Sequence, residues 1–409
     1  MLRRLPWCFL VLAVACGGGE NPSGDAAIVT VFDSTTDTLL ARTSGDVPAA
    51  EVRRTVVEMQ IAPGMDDTTL FTRVHEFDVD RQGRLWVFDA GSASIFVFGP
   101  DGALIRRIGR KGAGPGEFQQ NGGMVLLADG RLVEWDSRNA RISFFDSAGT
   151  FLSSWPLPGG FSTSNGLYTD QSGALYLRRP VTEPRDGEIL GRMGLVRLLD
   201  GGAYGDSLAP PDLVVPRDEY VAHVEGNTSS IAGAFSAGYH WGWLPSGEFV
   251  AADGGKYQLI IARKSGKPVV IRRELSPVSV GDDERQYEER RITHGLRYTE
   301  PDWRFTGPPI PTTKAPIQSM LISRDGRIWV RVATPSELIP EAEIELPRDS
   351  LAPIPRHRWP VEYEVFASDG RFLGRVALPI NATLIEADGN QVWGLDTDEN
   401  GLQAVTRWR

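Results

Sequence analysis

The sequence predicts an all-β chain, a six-bladed β-propeller of four-stranded antiparallel blades, and three observations carry that prediction. One complete four-strand unit lies between Arg107 and Leu152. The glycine of its first hairpin returns at Gly83, Gly130, Gly173, Gly247, Gly326 and Gly389, each time after a polar residue and before a strand-like run. The second strands that follow (LWVFD from Leu85, LVEWD from Leu132, LYL from Leu175, FVAAD from Phe249, IWVRV from Ile328, VWGLD from Val392) are nearly continuous in apolar residues. Such runs suit strands covered on both faces, as stacking between blades provides, whereas a solvated sheet alternates more strictly.

The clean unit opens on a turn of Gly112, Gly114, Pro115 and Gly116, passes Phe118, and runs from Met124 to Leu127 into Asp129, Gly130 and Arg131. Leu132 to Trp135, closed by Asp136, is its second strand, Asn139 with Arg141 to Phe145 its third, and the turn Asp146 to Gly149 leads into a fourth at Phe151. Short aromatic runs bounded by Asp/Gly turns read as strands joined by tight hairpins. GAGPGEF at Gly112 to Phe118, with Asp129, Gly130, Asp136, Asn139, Arg141, Ile142, Phe145 and Gly149 in order, resembles an NHL repeat. It departs at Asn121, where that pattern usually has proline, and at Glu134, where it has a small apolar residue. The resemblance covers roughly Val74 to Arg409 and implies a propeller. NHL-like propellers include protein-binding scaffolds, lyases and hydrolases, so it leaves activity open.

At the N-terminus, Arg3 and Arg4 precede an apolar run from Leu5 to Ala15, too short to span a bilayer as a helix, and this reads as a secretion signal over residues 1–15. Leu12 to Cys16 resembles a bacterial lipobox, with Ala13 where leucine is commoner, which implies cleavage before Cys16 and its lipidation. Gly17 in place of aspartate favours the outer over the inner membrane. Residues 16–27 form a Gly/Ser/Pro tether. Of the 2 cysteines, Cys8 leaves with the signal, so no intramolecular disulfide remains. With 43 basic against 53 acidic residues and no long single-sign run, the surface is acidic and a poor nucleic-acid binder.

Residues 28–73 hold two strand-like segments ahead of the propeller at 74–409. Blade six offers three strands before Arg409, so its open edge needs a partner. Thr55 to Ile61 is the expected ring-closing strand; Ile28 to Phe32 is the second choice, or packs outside the ring.

Insertions point to function. In a meander, the turns within strand pairs one–two and three–four share one face of the ring, and these are short. All the long loops, 178–193, 216–237, 276–316 and 333–360, fall on the other face, and long loops in compact domains are commonly functional. Asp282 to Arg297 reads as a helix, with acids in its first turn and Arg290 and Arg291 later. Tyr287, Tyr298, Trp303, Phe305 and Trp359 are the candidate contacts for a protein or glycan partner.

Counting back from each hairpin glycine gives the starts of the inner strands, where His75, Glu76, Asn121, Asn165, Tyr239, His240, Gln318 and Asn381 converge on the channel mouth as candidate ligand-binding residues. Resemblance to six-bladed lactonases implies calcium in this region, although Glu76 is the one acid and calcium sites usually draw on more. His75 and His240 belong to facing blades and form a zinc pair only across a narrow mouth. No GxSxG, HExxH or phosphate-loop motif occurs. The primary expectation is a membrane-anchored binding module; the alternative is a metal-dependent hydrolase or lyase at the channel mouth.

Overall fold

The computed structural model describes residues 28–62, 73–157, 166–184, 191–398 and 401–409. Six antiparallel meanders follow one another, each with its first strand innermost. Blade 1 is Val74–Val79, Leu85–Asp89, Ser94–Phe98 and Leu104–Ile108; blade 2 is Asn121–Leu126, Leu132–Asp136, Arg141–Phe145 and Phe151–Pro156. Blade 3 is Leu167–Thr169, Leu175–Pro180, Met193–Leu198 and Tyr204–Leu208; blade 4 is Tyr239–Trp243, Phe249–Asp253, Gln258–Ile261 and Val269–Glu274. Blade 5 is Ile317–Ile322, Ile328–Val332, Val361–Phe366 and Phe372–Leu378, and blade 6 begins with Ala382–Asp388, Gln391–Thr397 and Gln403–Trp408. The six hairpin glycines lie at φ of +59° to +85°, the left-handed region that a side chain disfavours, which is why the residue recurs there.

Every residue of the second strands of blades 1, 2 and 4 is buried. A separate apolar cluster fills each seam around the ring. Trp86, Phe88 and Phe145 pack between blades 1 and 2, Trp135 and Leu175 between 2 and 3, and Tyr176, Trp243 and Phe249 between 3 and 4. Leu259, Ile328 and Phe366 pack between 4 and 5, Trp329, Tyr363 and Trp408 between 5 and 6, and Phe98, Trp393 and Val405 between 6 and 1.

Val57–Ile61 completes blade 6, antiparallel to Gln403–Trp408, so an N-terminal strand closes the ring. The earlier segment packs outside it. Thr30–Ser34 forms a hairpin with Leu39–Ser44, and the latter pairs in parallel with the outer strand of blade 4. Arg53–Arg54 does the same on blade 5. Residues 30–61 are thus a strap across the outer edges of three consecutive blades, covering backbone groups an open edge would expose. In the adjoining seam, Arg273 is held by Glu364 at 3.0 Å; Glu364 also accepts from the Tyr257 hydroxyl at 2.6 Å and from Arg375 at 2.9 Å.

The inserts make a second, smaller core. The helix occupies Asp282–Arg297, with the Glu284 carboxylate accepting from the Gly281 N–H at 3.0 Å. Insert 216–237 is a hairpin of Glu219–Val224 and Asn227–Ala232. Tyr220, Ala222, Ile292, Leu296, Trp303 and Ile310 pack together between them.

Candidate functional site

The inner strands bring buried acids from several blades to the channel. Glu76 of blade 1 is half-buried, with one carboxylate oxygen lacking a hydrogen-bond partner among the described residues. Burial first, then the charge of Asp78, pushes its pKa up to about 8, against the Met124 N–H donated from blade 2. Further along the same strand, Asp78 accepts from the N–H of Val79 and of Leu126, each at 2.8 Å, and pairs with Arg324 from the first hairpin of blade 5. Burial still holds Asp78 above its ordinary value. Glu386 of blade 6 accepts from the N–H of Arg324 at 3.1 Å and of Ala387 at 2.7 Å; burial and Asp78 raise its pKa to about 7 while Arg324 opposes them. Asp78 thus couples all three acids, with Arg324 offsetting the charge of Asp78 and Glu386 but not of Glu76, and Glu76 and Glu386 hold a proton near neutrality.

A second sector spans blades 1 to 4. Glu134 is fully buried, and neither carboxylate oxygen has a hydrogen-bond partner among the described residues. Burial, then Asp136, with a smaller contribution from Glu76, drives its pKa well above the carboxylate range. Asn121 sits close enough to favour the charged form, yet outside hydrogen-bonding geometry. Tyr168 is raised by burial and by Glu76 while Arg178 opposes; Arg178 lies 5.4 Å from the Trp241 ring, and Tyr168 stands 6.0 Å from the same ring.

The residues expected at the channel mouth separate into groups. Glu76 and Asn121 both act on the buried Glu134 of the second sector. His75 and His240 each keep an Nε2 that is buried and without a partner among the described residues; burial, with Arg73 beside one and Arg217 beside the other, lowers both pKa values and favours neutral rings. Tyr239 donates to the Pro211 carbonyl at 2.8 Å and Gln318 to that of Ala315 at 2.6 Å, so both serve local structure. Asn381 is exposed. Asn165 and Cys16 lie outside the described residues. Among the described residues no group of three or more His, Cys, Asp or Glu is placed to hold a metal ion, so the calcium and zinc expectations find no ligand set there. Asp78, Glu134, Tyr168, Arg178, Trp241, Arg324 and Glu386 were not anticipated. Asp78 shares a strand face with Glu76 and was open to that inference; Glu134 carried a signal as a departure from the repeat.

On the insert-bearing face, a cleft of about 1360 Å³ runs between blades 4 and 5, with the strap on its outer side. Asp46 and Arg54 of the strap, Phe235 and Lys314 of the inserts, and Lys256 and Glu362 of the blades line it. The candidate contact residues fare unequally. Trp303 is 6% exposed and donates to the Val221 carbonyl at 2.9 Å, and Phe305 packs 4.9 Å from the Tyr220 ring. These two are core of the insert module and not its contact surface, because a hairpin and a helix this small need their aromatics to fill the space between them. Trp359 donates to Glu284 at 3.1 Å and, with Phe235, flanks the Lys314 ammonium at 5.5 and 5.4 Å. Tyr287 is half-buried. Tyr298 is 73% exposed and bonds Asp349, which His294 also meets at 2.9 Å, so it ties the helix to insert 333–360.

The family model DUF5128, a 6-bladed beta-propeller, matches residues 66–168. No curated protein gives a match. Among solved structures, a DUF4221 family member from Bacteroides vulgatus is 13% identical over 87% of this chain and 97% of its own, with a TM-score of 0.52. Virginiamycin B lyase from Staphylococcus aureus (12% identity, 85% and 98% coverage, TM-score 0.39) and the calcium-binding protein regucalcin from Agrobacterium tumefaciens (12%, 87% and 94%, 0.34) are more distant. At these identities the likeness speaks to fold alone. Strand pairing, the family model and the Bacteroides structure agree that the chain is a six-bladed β-propeller.

Proposed function

We propose that the protein is a lipid-anchored, extracytoplasmic propeller of NHL-like repeats that binds a protein or glycan partner through its insert-bearing face. The observation that carries this reading is the cleft of about 1360 Å³, walled by strap and inserts, whose insert wall has its own packed core. A wall packed in that way is preorganised, which lowers the entropic cost of binding. The lipobox-like Leu12 to Cys16 supports the anchor. The test is a glycan and peptide binding screen of the protein, repeated with Lys256→Glu in the cleft and Lys264→Glu on the opposite face. Partners should lose affinity tenfold or more with the first and keep it with the second. Equal effects, or no bound class at all, would end this reading.

A second reading is favoured by Glu76, with its pKa pushed up to about 8: a hydrolase or lyase using that carboxyl as a general acid at the channel. An ester or lactone turnover abolished by Glu76→Gln, with the fold intact, would put it ahead.

A further inference from the structure

The seam between blades 5 and 6 opens beneath the strap into a crevice of about 210 Å³. Its floor is apolar, made by Trp329, Val365, Leu373, Val376 and Val392. One wall is the strap where it passes from Arg54, opposite Ala377 of blade 5, to Val57, opposite Trp408 of blade 6. The charged side chains lining it are all arginines: Arg53, Arg54, Arg327 and Arg409. Arg327 and Arg409 have acidic partners, Asp325 at 3.2 Å and Glu58 at 3.5 Å. Arg53 and Arg54 have none among the described residues. Trp329 is 4% exposed, and its buried indole N–H donates to nothing among the described residues. At Gly374, no atom lies within 4 Å of where a Cβ would stand, so the blade 5 wall is open.

Two unpaired guanidiniums and an unused N–H above an apolar floor offer donors to an acceptor that also carries an apolar body. We propose that this crevice binds a small organic carboxylate, a short aliphatic or single-ring aromatic acid. Guanidinium forks match carboxylate geometry, and burial of the apolar body against Val365 and Val392 supplies the rest. A cavity below the volume usual for drug-sized ligands limits the size. Arg54 also lines the insert-face cleft, but Arg53, Trp329, Val365 and Val392 line the crevice and not the cleft, so the proposal stands or falls without a ligand in the cleft.

The test is calorimetric titration of the full chain with benzoate and hexanoate, using benzamide as an uncharged analogue of benzoate and inorganic phosphate as an anion without an apolar body. The two carboxylates should bind saturably and compete with each other, with benzamide at least tenfold weaker and phosphate not competing. The double substitution Arg53→Gln with Arg54→Gln should weaken benzoate tenfold or more without moving the thermal midpoint, since both side chains are exposed. Leu373→Trp should fill the crevice and abolish binding. Absence of saturable binding, binding untouched by the double substitution, or phosphate competing as well as benzoate would each overturn the proposal.

Discussion

Glu76 and Glu386 keep their protons in the fold at pH values where an unfolded chain would have lost them, because burial penalises the charged forms and Asp78 adds repulsion. With folded values of about 8 and about 7 against an ordinary 4.5, the native state binds more protons than the unfolded state between those limits. Stability therefore falls as pH rises through that window. The thermal midpoint should drop from pH ~5 to pH ~8, and Glu76→Gln should flatten the slope and raise the midpoint at the upper end. Each pKa unit retained corresponds to about 1.4 kcal/mol, an upper limit because the three acids titrate as a cluster. A slope identical in the variant would sink the assignment. At this scale the sequence was uneven. Hairpin glycines are readable since a positive φ selects the residue type directly. Glu134 was visible as an acid in an apolar position, but its isolation from any partner was not. Arg324 and Glu386 become a site only by convergence from different blades, and spacing along one strand carries no trace of that.

The inserts behave as an element with its own stability. The helix was legible to its ends because its acidic first turn and basic later turns mark them, and Ile292 and Leu296 share its inner face. The hairpin from Glu219 to Ala232 was not: Tyr220 and Ala222 point inward, but Val221 and Val224 point out, so apolar residues fall on both faces and blur the alternation. Trp303 joins the two elements, and its burial is what took it from the expected contact surface. Trp303→Ala should cost about 3–5 kcal/mol of local stability. Hydrogen exchange will locate the effect: helix and hairpin amides should lose protection while the blade 1 and blade 2 strands keep theirs. Uniform loss across the ring would mean that the inserts and the propeller fold as one unit.

For the whole molecule, the decisive element is the strap, because it makes two kinds of contact with different consequences. Val57–Ile61 closes a blade and completes the seam to blade 1, where Ile61 is buried with Phe98 and Trp393. Leu39–Ser44 only lengthens blade 4 outward, in a parallel pairing with Val269–Glu274 that no local hairpin signal announces. Sequence reasoning found the first from the missing strand of blade 6 and overlooked the second for that reason. Two truncations separate the roles. Removing the chain through Ser34 takes away one exposed strand and should leave a monodisperse monomer with a slightly lower midpoint. Removing it through Ile61 uncovers the Gln403–Trp408 edge and opens the seam between blades 6 and 1. Six seams share one ring, so opening one frees its neighbours to part; the expected outcome is a lost cooperative transition and self-association through the bare edge, read by thermal unfolding and size-exclusion chromatography. If the longer truncation stays monomeric and unfolds at the same temperature, closure by the N-terminal strand is not what holds the ring together.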